Sequence, residues 1–233
     1  MTGPLRSLFM FALLIACGTT FACPVAVDVG HYREKPGATS ARGVAEFDFN
    51  LPLAVKIRQS LLQRGCKATL IGDQGDMREL KGRTLLAKDA RFFLSVHHDS
   101  VQAQFLRRWT YNGVERLYSD QFAGFSLFIS RDNPDVARSL RCASAIGFAL
   151  RMKGFVPSLY HADEMAGEHR PFADRDNGVH YFDGLVVLKT AVQPAVLLEA
   201  GVIVNRDDEA RLAADETRQQ IADAVSSALH ACL

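Results

Sequence analysis

No stretch of this 233-residue chain reaches the roughly 20 consecutive apolar residues that a bilayer-spanning helix needs, and no internal repeat or low-complexity tract is present. Neither a helical membrane protein nor a solenoid is therefore expected. Charge of one sign is missing too. With 27 basic against 26 acidic residues, nothing in the balance recruits nucleic acid or an anionic membrane face. The five cysteines include no C-x-x-C pair of the kind that makes a zinc knuckle or a redox centre. Function has to be sought in a local site.

The N-terminus carries the first positive signal. Arg6 precedes an apolar run from Leu8 to Ala16, too short to span a membrane but right for the h-region of a secretory signal, and Thr20-Phe21-Ala22 places small residues before Cys23. Residues 1–22 are expected to be a signal peptide and residues 23–233 a single catalytic domain, exported to the periplasm or otherwise to the cell envelope. An alternative is a lipoprotein, since Leu14-Ile15-Ala16-Cys17 resembles a lipobox that would leave Cys17 acylated. The remaining length suffices for one α/β domain with a proper core.

Along the chain, apolar runs and helical periodicities alternate. Val25 to Val29 reads as a buried strand. A loop from Tyr32 to Gly43 leads into a helix from about Asp48 to Arg64, with Glu46 at its entrance and Pro52 limiting where it begins. Lys67 to Ile71 reads as a strand, Met77 to Lys88 as a helix and Arg91 to Val96 as a third strand. Gln102 to Phe122, with Arg107, Arg108, Trp109 and Tyr111, reads as an excursion over the site or a surface hairpin. A strand over Gly124 to Ile129 and a helix over Pro134 to Lys153 follow. Tyr160 to Gly178 is polar and aperiodic, a candidate mobile loop. Gly184 to Leu188 and Ala195 to Leu198 read as strands, and Asp208 to Cys232 as one closing helix. The order predicts a mostly parallel, twisted α/β sheet with right-handed crossovers, helices on both faces and a site outside the carboxyl ends of the strands.

Either processing route removes Cys17 from the thiol pool, and in an oxidising compartment Cys23, Cys66, Cys142 and Cys232 then suggest two disulfides among three possible connectivities. Cys23 opens the first strand and Cys66 the second. Neighbouring strands lie about 4.8 Å apart, which puts these two in disulfide reach and leaves Cys142 to pair with Cys232.

Two apolar runs end in histidine, at His31 and at His97-His98, and two glutamates stand in special places. Glu46 opens a helix, and Glu199 follows four apolar residues, where a carboxylate is costly unless it is paired or functional. Three ligands and a spare carboxylate are the inventory of a hydrolytic zinc enzyme. His97 and His98 point to opposite strand faces, so at most one can meet the metal. His97 takes that role, and His98 is expected in the loop or groove. His161, His169, His180 and His230 have no ligand-like context and are expected at the surface.

These segments resemble the zinc-dependent N-acetylmuramoyl-L-alanine amidases of bacterial cell walls, the third amidase family. Asp28-Val29-Gly30-His31, Pro36-Gly37-Ala38 and Gly43-Val44-Ala45-Glu46 stand in register with that family's first motifs, Ser95 to Asp99 with its third-strand motif, and Pro194 to Asn205 with its last. Tyr32 replaces a second glycine, Lys35 an acidic residue, His98 a small residue and Val202 a phenylalanine. The departures bear on the groove more than on the chemistry.

The resemblance implies that His31, Glu46 and His97 hold Zn2+ and that Glu199 is the catalytic carboxylate, taking a proton from water and passing it to the departing amine. It implies peptidoglycan as partner, cut between the muramic acid lactyl group and L-alanine of the stem peptide, and leaves open a protein activator. Two other readings use the same groove: a zinc peptidase acting within the stem peptide, and a peptidoglycan-binding module without catalysis.

Overall fold

The computed structural model describes residues 23–163 and 168–233; the expected signal peptide and the alternative acylation site at Cys17 lie outside them. The strands are β1 (Val25–Val29), β2 (Ala68–Ile71), β3 (Phe92–Asp99), β4 (Arg107–Tyr111), β5 (Val114–Tyr118), β6 (Ser126–Ile129), β7 (Phe172–Asp174), β8 (Val179–Tyr181) and β9 (Ala195–Val202). The helices are α1 (Glu46–Gln63), α2 (Leu80–Leu86), α3 (Val136–Met152), α4 (Val186–Thr190), α5 (Arg206–Ala213) and α6 (Asp215–Cys232). Seven strands form the central sheet in the order β2-β1-β3-β9-β6-β8-β7, and β4 and β5 form a separate hairpin. β2, β1, β3 and β9 run parallel. β6 turns antiparallel to β9, β8 lies parallel to β6, and β7 antiparallel to β8.

Strand alternation assigns the two faces. Val25, Val27 and Val29 of β1, Phe92, Leu94 and Val96 of β3, and Val196, Leu198 and Ala200 of β9 join the larger core with α1, α3 and α6. Ala26, Phe93, Ala195 and Leu197 face the smaller core with Val187 and Leu188 of α4. Phe92, Leu94 and Val96 are wholly buried, each contributing about 1.5–3 kcal/mol. On the smaller-core side the same alternation sends Asp28, Ser95, His97 and Glu199 toward one another.

Both expected disulfides are present, Cys23–Cys66 with Cα atoms 4.8 Å apart and Cys142–Cys232 at 5.5 Å. Among the described residues no helix is long and apolar enough to cross a membrane.

Several elements differ from the sequence reading. Pro52 sits inside α1, past the first turn, and deprives only the Asp48 carbonyl of a partner. The β-branched run before Lys189 forms α4, where Lys189 N–H donates to Leu185 O and the Thr190 hydroxyl to Val186 O. Packing on the sheet face overrides strand propensity there. The segment 160–178 is only partly loop, because β7 pairs with β8 at the sheet's far edge. The closing helix is two helices, broken at Ala214, whose extended backbone caps the start of α6. β3 and β9 run on to Asp99 and Val202, so His97 and Glu199 stand within strands.

Candidate active site and metal centre

β1 ends at Val29, and Gly30 N–H still donates to Val96 O of β3 at 3.0 Å. His31 follows with φ of 67°, a left-handed conformation uncommon outside glycine. The chain then turns through Pro36 and Gly37 and returns so that Glu46 N–H donates to Ala38 O. Glu46 is the first residue of α1, where the helix N-terminus favours a negative charge.

Its carboxylate lies between the two histidines. His31 Nε2 is 2.9 Å from Oε2, and His97 Nδ1 is 3.0 Å from Oε1. Ala38 N–H also donates to Oε2, and Asn50 Nδ2 and His98 N–H to Oε1. Burial alone would raise the Glu46 pKa, but hydrogen bonds from His31 and His97 and their charges outweigh it and hold the group well below the usual carboxylate range.

One donor atom each from His31, Glu46 and His97 falls within 4.8 Å of the others. Tetrahedral donors around zinc at about 2.0–2.2 Å stand about 3.4 Å apart, so only small shifts separate this arrangement from a ligand set. Two imidazoles and a carboxylate also suit zinc by type.

Two glycines make the convergence possible. A Cβ on Gly30 would lie 2.3 Å from His97 Nε2, so a larger residue there would expel the His97 ring. Gly37, at φ +84°, places its backbone against Glu46, and a Cβ would lie 2.2 Å from Oε2 and 2.7 Å from His31 Cδ2.

A second layer holds these groups. Asn50, one helical turn after Glu46, donates through Nδ2 to Glu46 and to Gly30 O, so its Oδ1 is left to accept, and His98 Nδ1 lies 2.8 Å from it. The network therefore assigns the His98 proton to Nδ1. His98 is buried on the larger-core face beside Phe49, not in the loop or groove as expected, and burial pushes its pKa down to about 3. The alternation that separated it from His97 holds; the error lay in supposing its side of the sheet open.

On the opposite face Arg83 of α2 is fully buried. Its Nη1 donates to Asp28 Oδ1 at 2.7 Å and to Val29 O, and its Nη2 to His31 O and Met77 O. Ser95 donates to the other Asp28 oxygen at 2.7 Å. This ion pair fixes the backbone that presents His31, and removing one partner of such a pair typically costs about 3–5 kcal/mol.

Glu199 is the register partner of His97 on β9. The residue is half-buried, and among the described residues its Oε2 is sealed from solvent with no hydrogen-bond partner. Burial, followed by the charges of Asp99, Glu46 and Glu168, raises its pKa well above the ordinary value. An unpartnered carboxylate oxygen with a raised pKa beside a possible ligand set marks a candidate proton-transferring group.

His161 and His180 are buried, against the expectation of surface positions. His161 Nε2 lies 2.8 Å from Asp99 Oδ2 and Nδ1 2.8 Å from Glu168 Oε2, which also accepts from Arg170 Nε. Burial would lower the His161 pKa, but Asp99 and then Glu168 lift it to about 9, while Glu168 is drawn down to about 2. His180 packs against Phe172 and Phe128, and burial lowers its pKa to about 4. His169 and His230 are exposed, as expected. Asn50 was discoverable from its i, i+4 spacing to Glu46; Arg83 and His161 carry no comparable local signal.

The sequence profile of the family described as N-acetylmuramoyl-L-alanine amidase matches residues 25–231. A curated relative, the uncharacterized protein YqiI of Bacillus subtilis, is 27% identical over 203 residues, spanning 86% of this chain and 80% of its own. Among solved structures, the amidase Ami1 of Mycobacterium smegmatis superposes with a TM-score of 0.70 at 19% identity, covering 89% of this chain and 95% of its own. The CwlD amidase of Clostridioides difficile, solved in complex with the GerS lipoprotein, superposes with a TM-score of 0.67 at 19% identity over 89% of this chain and 96% of its own.

Proposed function

The chain belongs to the N-acetylmuramoyl-L-alanine amidase family and is a peptidoglycan hydrolase, and from that premise we propose that His31, Glu46 and His97 hold zinc and that Glu199 moves the proton in amide cleavage. The observation that carries this assignment is the meeting of those three donors one strand away from a carboxylate with an unpartnered buried oxygen. Zinc in such a site supplies a Lewis acid that polarises an amide carbonyl and acidifies water. The two imidazoles and single carboxylate leave a divalent cation with net positive charge, and Asn50, Ala38 and Arg83 keep them in place. Glu199 takes the proton from the attacking water and delivers it to the nitrogen of the departing L-alanine. Its raised pKa makes the ionised carboxylate a stronger base toward that water.

The same reading places the enzyme in the periplasm or cell envelope, with residues 1–22 removed on export and peptidoglycan as its macromolecular substrate. The two disulfides support an oxidising destination. CwlD, solved with GerS, is a precedent for a protein partner on this fold.

Mass spectrometry of products from purified sacculi tests the function. Intact glycan strands and peptides beginning with free L-alanine are expected, whereas cuts within the stem peptide would replace the amidase with a peptidase. Glu199→Gln keeps the shape but cannot accept the proton, so it should stay folded and zinc-loaded while turnover falls by orders of magnitude. Near-native turnover in that variant would remove Glu199 from the mechanism.

A further inference from the structure

Beside His31 and His97, on the α2 and α4 side of the sheet, lies a groove of about 390 Å³, within the size range of small-ligand sites. Its lining combines apolar side chains, Leu80, Leu185 and Val186, with the cations Lys35 and Arg78. Among the described residues the one carboxylate that lines it is Asp28, and that group is committed to Arg83 and Ser95. Arg83 and Asp28 cancel each other, so the groove's remaining lining charge comes from Lys35 and Arg78.

Lys35 is exposed and has no ion-pair partner among the described residues. Arg78 is paired with Glu34, but both side chains are about two-thirds exposed, at 63% and 64%, and such a surface pair is worth little and is readily exchanged. A short backbone bridge between Tyr32 and Lys35 fixes the turn that carries Lys35 beside the groove. The apolar lining suits a small side chain, and the cations suit an anion bound with it.

We propose that this groove receives the peptide on the amine side of the scissile bond and that Lys35 and Arg78 select a peptide bearing a free carboxylate next to the alanine. The proposal rests on the amidase reading and adds to it a charge requirement on the second residue. Family members with an acidic residue in place of Lys35 would present the opposite charge there.

The test compares two compounds that carry the same scissile bond, have the γ-carboxyl blocked as a methylamide in both, and differ by the one α-carboxylate charge: N-acetylmuramoyl-L-alanyl-D-glutamate γ-methylamide and its D-isoglutamine analogue. Dissociation constants of the two released dipeptides, the γ-methylamides of L-alanyl-D-glutamate and L-alanyl-D-isoglutamine, are measured by calorimetry on the zinc-loaded protein. Any contact of the alanine amine with the metal is common to both, so it drops out of the ratio. The carboxylate form is expected to bind about three- to tenfold more tightly, with the preference lost in Lys35→Gln/Arg78→Gln and weakened at high salt. In turnover, the same variant should raise KM for the glutamate compound and leave KM for the isoglutamine compound unchanged. Equal affinities in the unaltered protein, or a preference that survives in the double variant, would overturn the proposal. If neither muramoyl compound is cleaved, the catalytic reading fails separately, because the dipeptide affinities are obtained without turnover.

Discussion

Replacing Gly37 with alanine should damage the proposed metal centre without touching any proposed ligand, and the expected size follows from the geometry. Two costs combine. A left-handed backbone costs an L-residue roughly 1–2 kcal/mol. The added Cβ would also lie 2.2 Å from Glu46 Oε2, an atom that Ala38 N–H and His31 hold in place, so Glu46 has to retreat by roughly 1 Å even for a compressed contact. Gly65 separates the costs, because it has φ of +80° and nothing within 4 Å of its would-be Cβ. Gly37→Ala and Gly65→Ala should each lower the melting temperature by about 2–8 °C through backbone strain. Only Gly37→Ala should weaken zinc binding, by about 10–100-fold, the usual loss when the support of a ligand is disturbed. Chelator competition measures the affinity and calorimetry the stability. Equal zinc affinity in the two variants would refute the argument that Gly37 shapes the ligand cluster.

Three further outcomes are expected. His97→Ala should lose bound zinc after dialysis while His98→Ala keeps it and loses stability instead, because His98 is buried and bonded to Asn50; zinc retention in His97→Ala would sink the ligand assignment. Removing the Cys142–Cys232 disulfide, whose cysteines are 90 residues apart, should cost about 4–5 kcal/mol of stability by the chain-entropy relation, read from denaturant midpoints, and an unchanged midpoint would count against it. The His161 pKa is raised to about 9, so its contribution is complete below the unfolded value near 6.5 and disappears as the pH rises to about 9. Between those limits stability should fall by about 3 kcal/mol, and His161→Gln, which leaves Asp99, Glu168 and Arg170 in place, should flatten that slope. Equal slopes in the two proteins would refute the assignment.

The site was legible where local pattern and covalent reach carry it. Period-two alternation separated His97 from His98, a helix start marked Glu46, and an isolated carboxylate after an apolar run marked Glu199. Strand adjacency was enough to pair Cys23 with Cys66. Groups whose partners come from elsewhere in the chain were not legible. Nothing near Arg83 says that it will meet Asp28, and nothing near His161 says that Asp99 will face it. The same limit explains α4: Val186 and Val187 favour a strand locally, but the sheet face beside β9 needed a short helix to cover Leu197 and Phe93.

The pairing of His97 with Glu199 on adjacent strands divides accuracy from adaptability. The separation between the proposed ligand and the proposed proton carrier is set by the β3–β9 ladder, in which they form the last pair before a register shift, so a displacement would have to disturb strand pairing. Lys35 and Arg78 stand instead on exposed connections that can change length or charge at little cost to the core. If Lys35 and Arg78 set substrate preference, changing the charge at those two positions alone should shift it while His97 and Glu199 keep their spacing. Attempts to move the chemistry itself would have to rebuild the sheet.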